Sequence, residues 1–370
     1  MRKRIAIIGG GIVGSTAAYY LSQMPNADER DVVMFDDSYG QATKAASGII
    51  SPWLSKRRNK QWYNLAKAGA KLIPEIANDT HMNSEIFDHC GTIITREDES
   101  NLDELYLFAK ERAQVTPEMG KIQKLDRKAI QSQIPILTNP KSGVLVSGGS
   151  RINGALFCQH LISIAKKNNL TVHDGRARLI NDHTISFKEQ SFEFDRIIVA
   201  TGAWVKETMQ PLNVKVHVRP QKGQLVELKV PDFPDHESMP VMMPEGEYDF
   251  IPLGHGKLIV GATHDDNKEF DLSKEASVDN QLIDSAQNLV SGLNSTDIIL
   301  SKVGTRAYTN DFAPFFGIVP NHDNVLIGSG LGSSGLTTGP MIGKLLAGSA
   351  IFGGHPDWKM YEKPISNYIS

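Results

Sequence analysis

The residues best placed to do chemistry stand near the start of the chain. Gly9-Gly10-Gly11-Ile12-Val13-Gly14 has the spacing G-x-G-x-x-G. Such spacing serves a diphosphate. Its first glycine permits a tight turn, its second lets backbone approach the phosphates, and its third lets a helix pack closely on a strand. Gly9, Gly11, Ile12, Val13 and Gly14 are therefore candidate contacts for a dinucleotide, whose phosphates would rest on free N–H groups at a positive helix end. Asp36, with Asp37 beside it, follows at roughly the twenty-residue distance where an acid can bind a ribose hydroxyl. Spacing alone does not separate a nicotinamide from a flavin dinucleotide. His217, His255 and His264 lack ligand spacing, and Cys90 and Cys158 lie far apart, so no metal site is expected.

A glycine fingerprint carries weight only in the right setting, and the setting here agrees. Residues 4–8 form an apolar run ended by glycines, which predicts a buried parallel strand. Residues 12–23 read as a helix, 25–28 as a turn and 31–35 as a second strand. Together they make a βαβ unit of about thirty residues. Further on, helices are predicted over 58–78, with Pro74 kinking or ending it, and over 99–114, 152–168, 275–292 and 336–352. Strands are predicted over 91–95, 170–173, 194–200 and 325–329. The segments 214–230 and 248–263 alternate in a β manner, the second around a Gly-His-Gly turn. Parallel α/β elements at both ends enclose an antiparallel block, the pattern of a nucleotide domain interrupted by insertions.

Composition narrows the function classes. A chain of 370 residues, 40% apolar and 22% charged, is long enough for a substantial core and for two or three domains. Lys plus Arg number 39 against 42 Asp plus Glu, a net charge of −3 that recruits neither nucleic acid nor an anionic membrane. No run of about 18 apolar residues suggests a membrane span. Met1-Arg-Lys-Arg before an apolar stretch imitates a secretion signal, but the glycine spacing explains that stretch better. With so few cysteines the expected location is cytoplasmic.

Taken in order, eight segments resemble the D-amino-acid oxidase / glycine oxidase superfamily of FAD-dependent oxidoreductases, chiefly bacterial proteins like glycine oxidase or D-amino-acid dehydrogenase. They are GGGIVGSTAAYYL at 9–21, KAASGIISPW at 44–53, SRINGALFCQHL at 150–161, IIVATGAW at 197–204, VRPQKGQLVEL at 218–228, IPLGHGKLIVGAT at 251–263, GTRAYTNDFAPFFG at 304–317 and GSGLGSSGLTTGPMIGKLLA at 328–347. The resemblance implies an α/β fold: a Rossmann-type FAD-binding domain with an inserted substrate domain of antiparallel β-sheet plus helices, a glutathione-reductase-like two-domain flavoprotein. It implies a discontinuous FAD-binding domain over 1–80, 147–214 and 305–370, and a substrate domain over 81–146 and 215–304.

By the same resemblance, Thr43, Ala45, Ala46, Ser47, Gly48 and Ile49 line the pyrophosphate and ring of a non-covalent FAD. Ala177 reads the adenine through its backbone, and Thr201 and Gly202 close over that half of the cofactor. The covalent-flavin cysteine of the sarcosine oxidases has no counterpart near Arg306. Gly330, Gly332, Ser333, Ser334, Gly335 and Leu336 precede a helix whose positive N-terminus would stabilise the anion of reduced flavin. Arg306, in GTRAYTN and expected just after a strand, matches the arginine that grips an amino acid's carboxylate, for which a planar guanidinium is suited. The family's strand tyrosine falls three residues before a proline. Here Asp249 holds that place before Pro252 and Tyr248 stands one residue earlier. A one-residue slip reverses the face, so either a bulge restores Tyr248 or Asp249 faces the pocket and meets an ammonium group or a basic side chain. Ser333 stands where some glycine oxidases carry an arginine. Trp53 and Tyr308 are read as pocket wall or core.

The implied reaction is oxidation of the C–N bond of a small amino acid or secondary amine by hydride transfer to flavin N5. An imino acid then hydrolyses to a keto acid and ammonia or amine. The implied partners are that small substrate and an electron acceptor, oxygen or a quinone or carrier. A homo-oligomer stays open. Three other readings compete: a flavoprotein subunit with a structural FAD acting through a partner protein, a tRNA-modifying version of the fold, and a nicotinamide dehydrogenase. The tRNA reading predicts a basic surface and a fused methyltransferase domain, and the sequence has neither.

Overall fold

The computed structural model describes residues 2–57, 59–230, 238–354 and 356–370. Its first layer is a six-stranded sheet. In spatial order the strands are Phe315–Val319, His322–Ser329, Arg196–Val199, Lys3–Ile8, Arg30–Asp36 and Leu170–Asp174. All neighbours are parallel except the first pair. Successive side chains of a strand point to opposite faces, and the core divides accordingly. Ile5, Ile7, Ile198 and Leu326 enter one apolar cluster, with Leu21, Leu65, Leu161 and Leu346 from the helices Ile12–Gln23, Lys60–Asp79, Gly154–Lys166 and Gly335–Phe352. Ala6, Ile8, Ile197, Val199, Val325 and Ile327 enter the cluster on the other face. There they meet the small three-stranded sheet of residues 178–193 and the segment around Met209 and Val218.

The second layer is an eight-stranded sheet in the order Ile298–Tyr308, Arg219–Lys229, Lys257–Gly261, Asp249–Gly254, Val241–Met243, Thr92–Thr95, Gly143–Val146 and Ile122–Leu125. It is antiparallel except where Val241–Met243 runs parallel to Thr92–Thr95. The Gly-His-Gly turn closes a hairpin, with Gly254, His255 and Gly256 all at positive φ. Parity again sorts the residues. Val226, Leu228, Phe250 and Val260 pack against the helix Ala276–Gln287, whereas Leu225, Ile251 and Ile259 form a small cluster on the opposite face, the one turned toward the first sheet.

Several expected elements differ from those observed. The helix expected over 58–78 is Lys60–Asp79, and residue 58 lies outside the described residues. Pro74 neither ends nor bounds it. The helix continues for another turn because Ile76 and Ala77 bury on the same stripe as Leu72 and Ile73. The helix expected over 275–292 stops at Gln287, and the alternating segment 214–230 forms a strand only from Arg219. Arg306, expected after a strand, sits inside Ile298–Tyr308, which crosses the expected boundary at 305.

Candidate active site

Between the two sheets lies a cavity of about 800 Å³. At one end its wall is the glycine turn. Gly9 adopts φ +102° and donates its N–H to Phe35 at 2.8 Å. A Cβ on Gly14 would stand 1.8 Å from the Gly9 carbonyl oxygen, so only glycine lets the helix approach the strand here. Gly10, a free position in the motif, is equally constrained. Asp36 lies against it and accepts its N–H at 2.8 Å, and a Cβ there would meet the carboxylate at 2.8 Å. Ile12 N–H donates to Thr43 Oγ1 at 3.1 Å, which holds the 42–45 turn over the start of the helix. Gly11 supplies no capping side chain to that helix, and Ser334 supplies none to Gly335–Phe352. Both helix starts border the cavity and present positive ends to it.

Three buried side-chain atoms on the cavity wall have no hydrogen-bond partner among the described residues: Gln41 Oε1, Ser51 Oγ and Thr305 Oγ1. Buried polar atoms are normally satisfied, so three orphans beside a glycine cradle point to a polar ligand. The cradle, the uncapped helix starts and these orphans together fit a dinucleotide of the kind the glycine spacing calls for.

The expected residues fall as follows. Gly9, Gly11, Ile12, Val13, Asp36, Asp37, Thr43, Ala45, Ala46, Ser47, Gly48, Ile49, Ala177, Thr201, Gly202, Gly332, Ser333, Ser334, Gly335 and Leu336 all border the cavity. Gly14 sits behind it as the packing glycine. Gly330 does not line it. At φ +75°, Gly330 turns the chain under Thr309, whose Cγ2 a Cβ would meet at 2.6 Å. Trp53 and Tyr308 belong to the core, 1% and 4% exposed. Neither cysteine borders the cavity, and burial pushes both thiols up to about 12.

At the other end Arg306 enters from the eight-stranded sheet. Its Nη1 donates to Thr263 O at 2.7 Å and to Gln221 Oε1 at 3.1 Å. The guanidinium lies flat over Gly223, where a Cβ would be 2.8 Å from Cζ. Gly223 pairs with Gly304, and a Cβ on Gly304 would meet Ala45 at 2.8 Å, so this pair of glycines also admits the 42–45 turn. Burial pulls the guanidinium below its ordinary value, and Tyr308 and Asp249 oppose this.

Strand parity decides between Tyr248 and Asp249. Asp249 pairs with Gly261, which pairs with Leu225, so Asp249 shares the cavity face with Arg306. Tyr248 turns to the helix face, where its hydroxyl accepts from Gln281 Nε2 at 2.7 Å, and it does not border the large cavity. No bulge restores it, because the register shift in this strand falls later, between Pro252 and Gly254. Burial raises the Asp249 carboxyl to about 7, with Arg306 acting the other way.

Sequence reasoning missed four residues on this wall. Arg57 stacks 4.7 Å from the Trp62 ring centre and its Nη2 donates to Ser333 Oγ at 3.3 Å. Trp62 Nε1 donates to Ser334 Oγ at 3.0 Å. His264 and Glu247 also border the cavity, and burial lowers the His264 ring below its ordinary value.

Residues 4–349 match the family model described as DAO, FAD dependent oxidoreductase. The chain is 34% identical over 353 residues to an uncharacterized oxidoreductase, YurR, of Bacillus subtilis (strain 168), covering 93% of this chain and 94% of that protein. Among solved structures it is similar to iminodiacetate oxidase from Chelativorans sp. BNC1, with TM-score 0.88 and 27% identity over 99% of this chain and 98% of that one. It shares its fold with glycine oxidase from Geobacillus kaustophilus, with TM-score 0.81 and 19% identity over 97% and 98%.

Proposed function

The chain belongs to the DAO family of FAD-dependent oxidoreductases, and from that premise we propose that it oxidises the C–N bond of a small amino acid or secondary amine. FAD supplies a two-electron acceptor for the hydrogen on the carbon next to nitrogen. The observation that carries the reading is the pairing of Arg306 and Asp249 on one wall of the cavity, the former anchored through Nη1 alone. The rest of the guanidinium is left for a carboxylate, which it matches in plane and in charge. The Asp249 carboxylate has no hydrogen-bond partner among the described residues and offers an acceptor to a substrate N–H. Gly223 beneath the guanidinium fixes its height. Holding both ends of a short zwitterion leaves one carbon free to face the ring, and orientation of this kind lowers the barrier without a side-chain base.

The products consistent with this chemistry are reduced flavin and an imino acid, which water converts to a keto acid and ammonia or amine. Oxygen or a quinone or carrier then takes the two electrons. Anaerobic mixing with glycine, sarcosine, D-alanine, D-proline and iminodiacetate tests the reading through loss of the oxidised flavin band. At least one amine should bleach it. Arg306→Ala should weaken the effective amine by at least about a hundredfold, the scale for removing a charge-assisted pair. Bleaching by none of them in the FAD-loaded protein, or equal bleaching by the variant, would overturn the assignment.

A further inference from the structure

The ring end of the cavity holds a second guanidinium, and carboxylate recognition by Arg306 gives it no task. Arg57 borders the same space, stacked on Trp62 and held by a single long bond to Ser333. Tyr308 links the two arginines. It lies two residues beyond Arg306 on the strand, and its ring packs against Gly332, whose neighbour Ser333 accepts from Arg57. Among the described residues no carboxylate comes within ion-pair distance of either guanidinium. Burial lowers the Arg57 guanidinium below its ordinary value, so its charge is incompletely solvated. A half-buried cation without an anion is costly, and a ligand carboxylate would relieve that cost.

The charges at this end comprise two guanidinium groups and the Asp249 carboxylate, with Glu247 and His264 toward the second opening. A glycine-like zwitterion complements only Arg306 and Asp249. An amine carrying two carboxylates complements all three.

We propose that Arg57 and Arg306 form a two-point clamp and that the preferred substrate is a secondary or primary amine bearing two carboxylates, one on each guanidinium, with the nitrogen between them near Asp249. This rests on the C–N oxidation reading and deepens it. The chemistry is unchanged: two electrons and a proton equivalent leave as hydride from the carbon beside nitrogen, a proton leaves nitrogen, and FAD is reduced.

The test uses the FAD-loaded full chain and two readouts. One is affinity, from perturbation of the flavin spectrum by thiodiacetate, a dicarboxylate without nitrogen. The other is anaerobic flavin reduction by iminodiacetate and by sarcosine. Wild type should prefer iminodiacetate over sarcosine by at least about tenfold, the effect of one charge-assisted contact. Arg57→Ala should collapse that ratio and weaken thiodiacetate about tenfold or more. Arg57→Lys should restore part of both, which a purely structural role on Trp62 would not do. Arg306→Ala should weaken both amines. Loss of both amines in equal proportion on Arg57→Ala, or a wild type that prefers sarcosine, would overturn the clamp. If no amine reduces the flavin yet thiodiacetate binding still depends on Arg57, the clamp stands and the oxidation reading falls.

Discussion

Replacing Asp249 by Asn probes the cavity through pH. Burial raises this carboxyl from an ordinary 3.8 to about 7, against the pull of Arg306. The folded chain therefore holds the proton more tightly than the unfolded chain. The stability this contributes is complete below 3.8 and is lost as pH rises through about 7. A shift of roughly three units at about 1.4 kcal/mol per unit sets a ceiling of about 4 kcal/mol. Water reaching the carboxylate through the cavity mouth brings the effect below that ceiling. For a chain of 370 residues, about 2.1 cal/mol/K of unfolding entropy per residue converts 4 kcal/mol into about 5 °C of Tm. Melting followed by flavin fluorescence, with FAD in excess, should bring wild type and Asp249→Asn together below about pH 3.8. Wild type should then fall behind by up to about 5 °C by pH 8. The same group should appear in binding. Affinity of wild type for an ammonium substrate should rise about tenfold per pH unit below about 7 and level off above it, and the variant should lack that slope. Parallel profiles for the two proteins between about pH 5 and 8, in melting and in binding alike, would refute the placement of a desolvated carboxyl beside the substrate.

Two further substitutions probe the walls. Gly14→Ala sets a Cβ 1.8 Å from the Gly9 carbonyl. The helix must move off the strand, so bound FAD per chain, read from absorbance after desalting, should fall at least about tenfold at limiting cofactor. Gly223→Ala sets a Cβ 2.8 Å from Arg306 Cζ. The flexible guanidinium should shift, raising KM for carboxylate amines about tenfold or more while flavin content holds.

What could be read from sequence depended on how local the cause was. The glycine turn was legible because its geometry needs only residues adjacent in the chain and an acid at the end of the next strand. Gly10 escaped notice since its constraint comes from Asp36, across a turn rather than along the motif. Tyr248 and Asp249 could not be separated, because parity has meaning only once the partners Gly261 and Leu225 fix which face is which. Arg57 sits in the run Ser55-Lys56-Arg57-Arg58, which reads as solvated charge until Trp62 and Ser333 arrive from elsewhere. The strand Ile298–Tyr308 was missed in part because Ser301, Lys302 and Gly304 spoil its alternation, and its small residues serve the cavity instead of a core. Pro74 does not end its helix, because burial of the stripe around it outweighs one missing N–H.

The central strand of the first sheet has consequences for how the protein is made. Of the six strands Lys3–Ile8 leaves the ribosome before the others, and Arg30–Asp36 follows soon after, but its other neighbour is Arg196–Val199, which in turn waits for His322–Ser329. At about 5–20 residues per second, that wait is on the order of tens of seconds. Until residue 199 is made the apolar edge of Lys3–Ile8 has no native mate, and from then until residues 322–329 arrive Arg196–Val199 is the unpaired edge. Newly made chains are thus exposed to aggregation until residues 322–329 emerge, and removing residues 321–370 should be as damaging as removing residues 1–10.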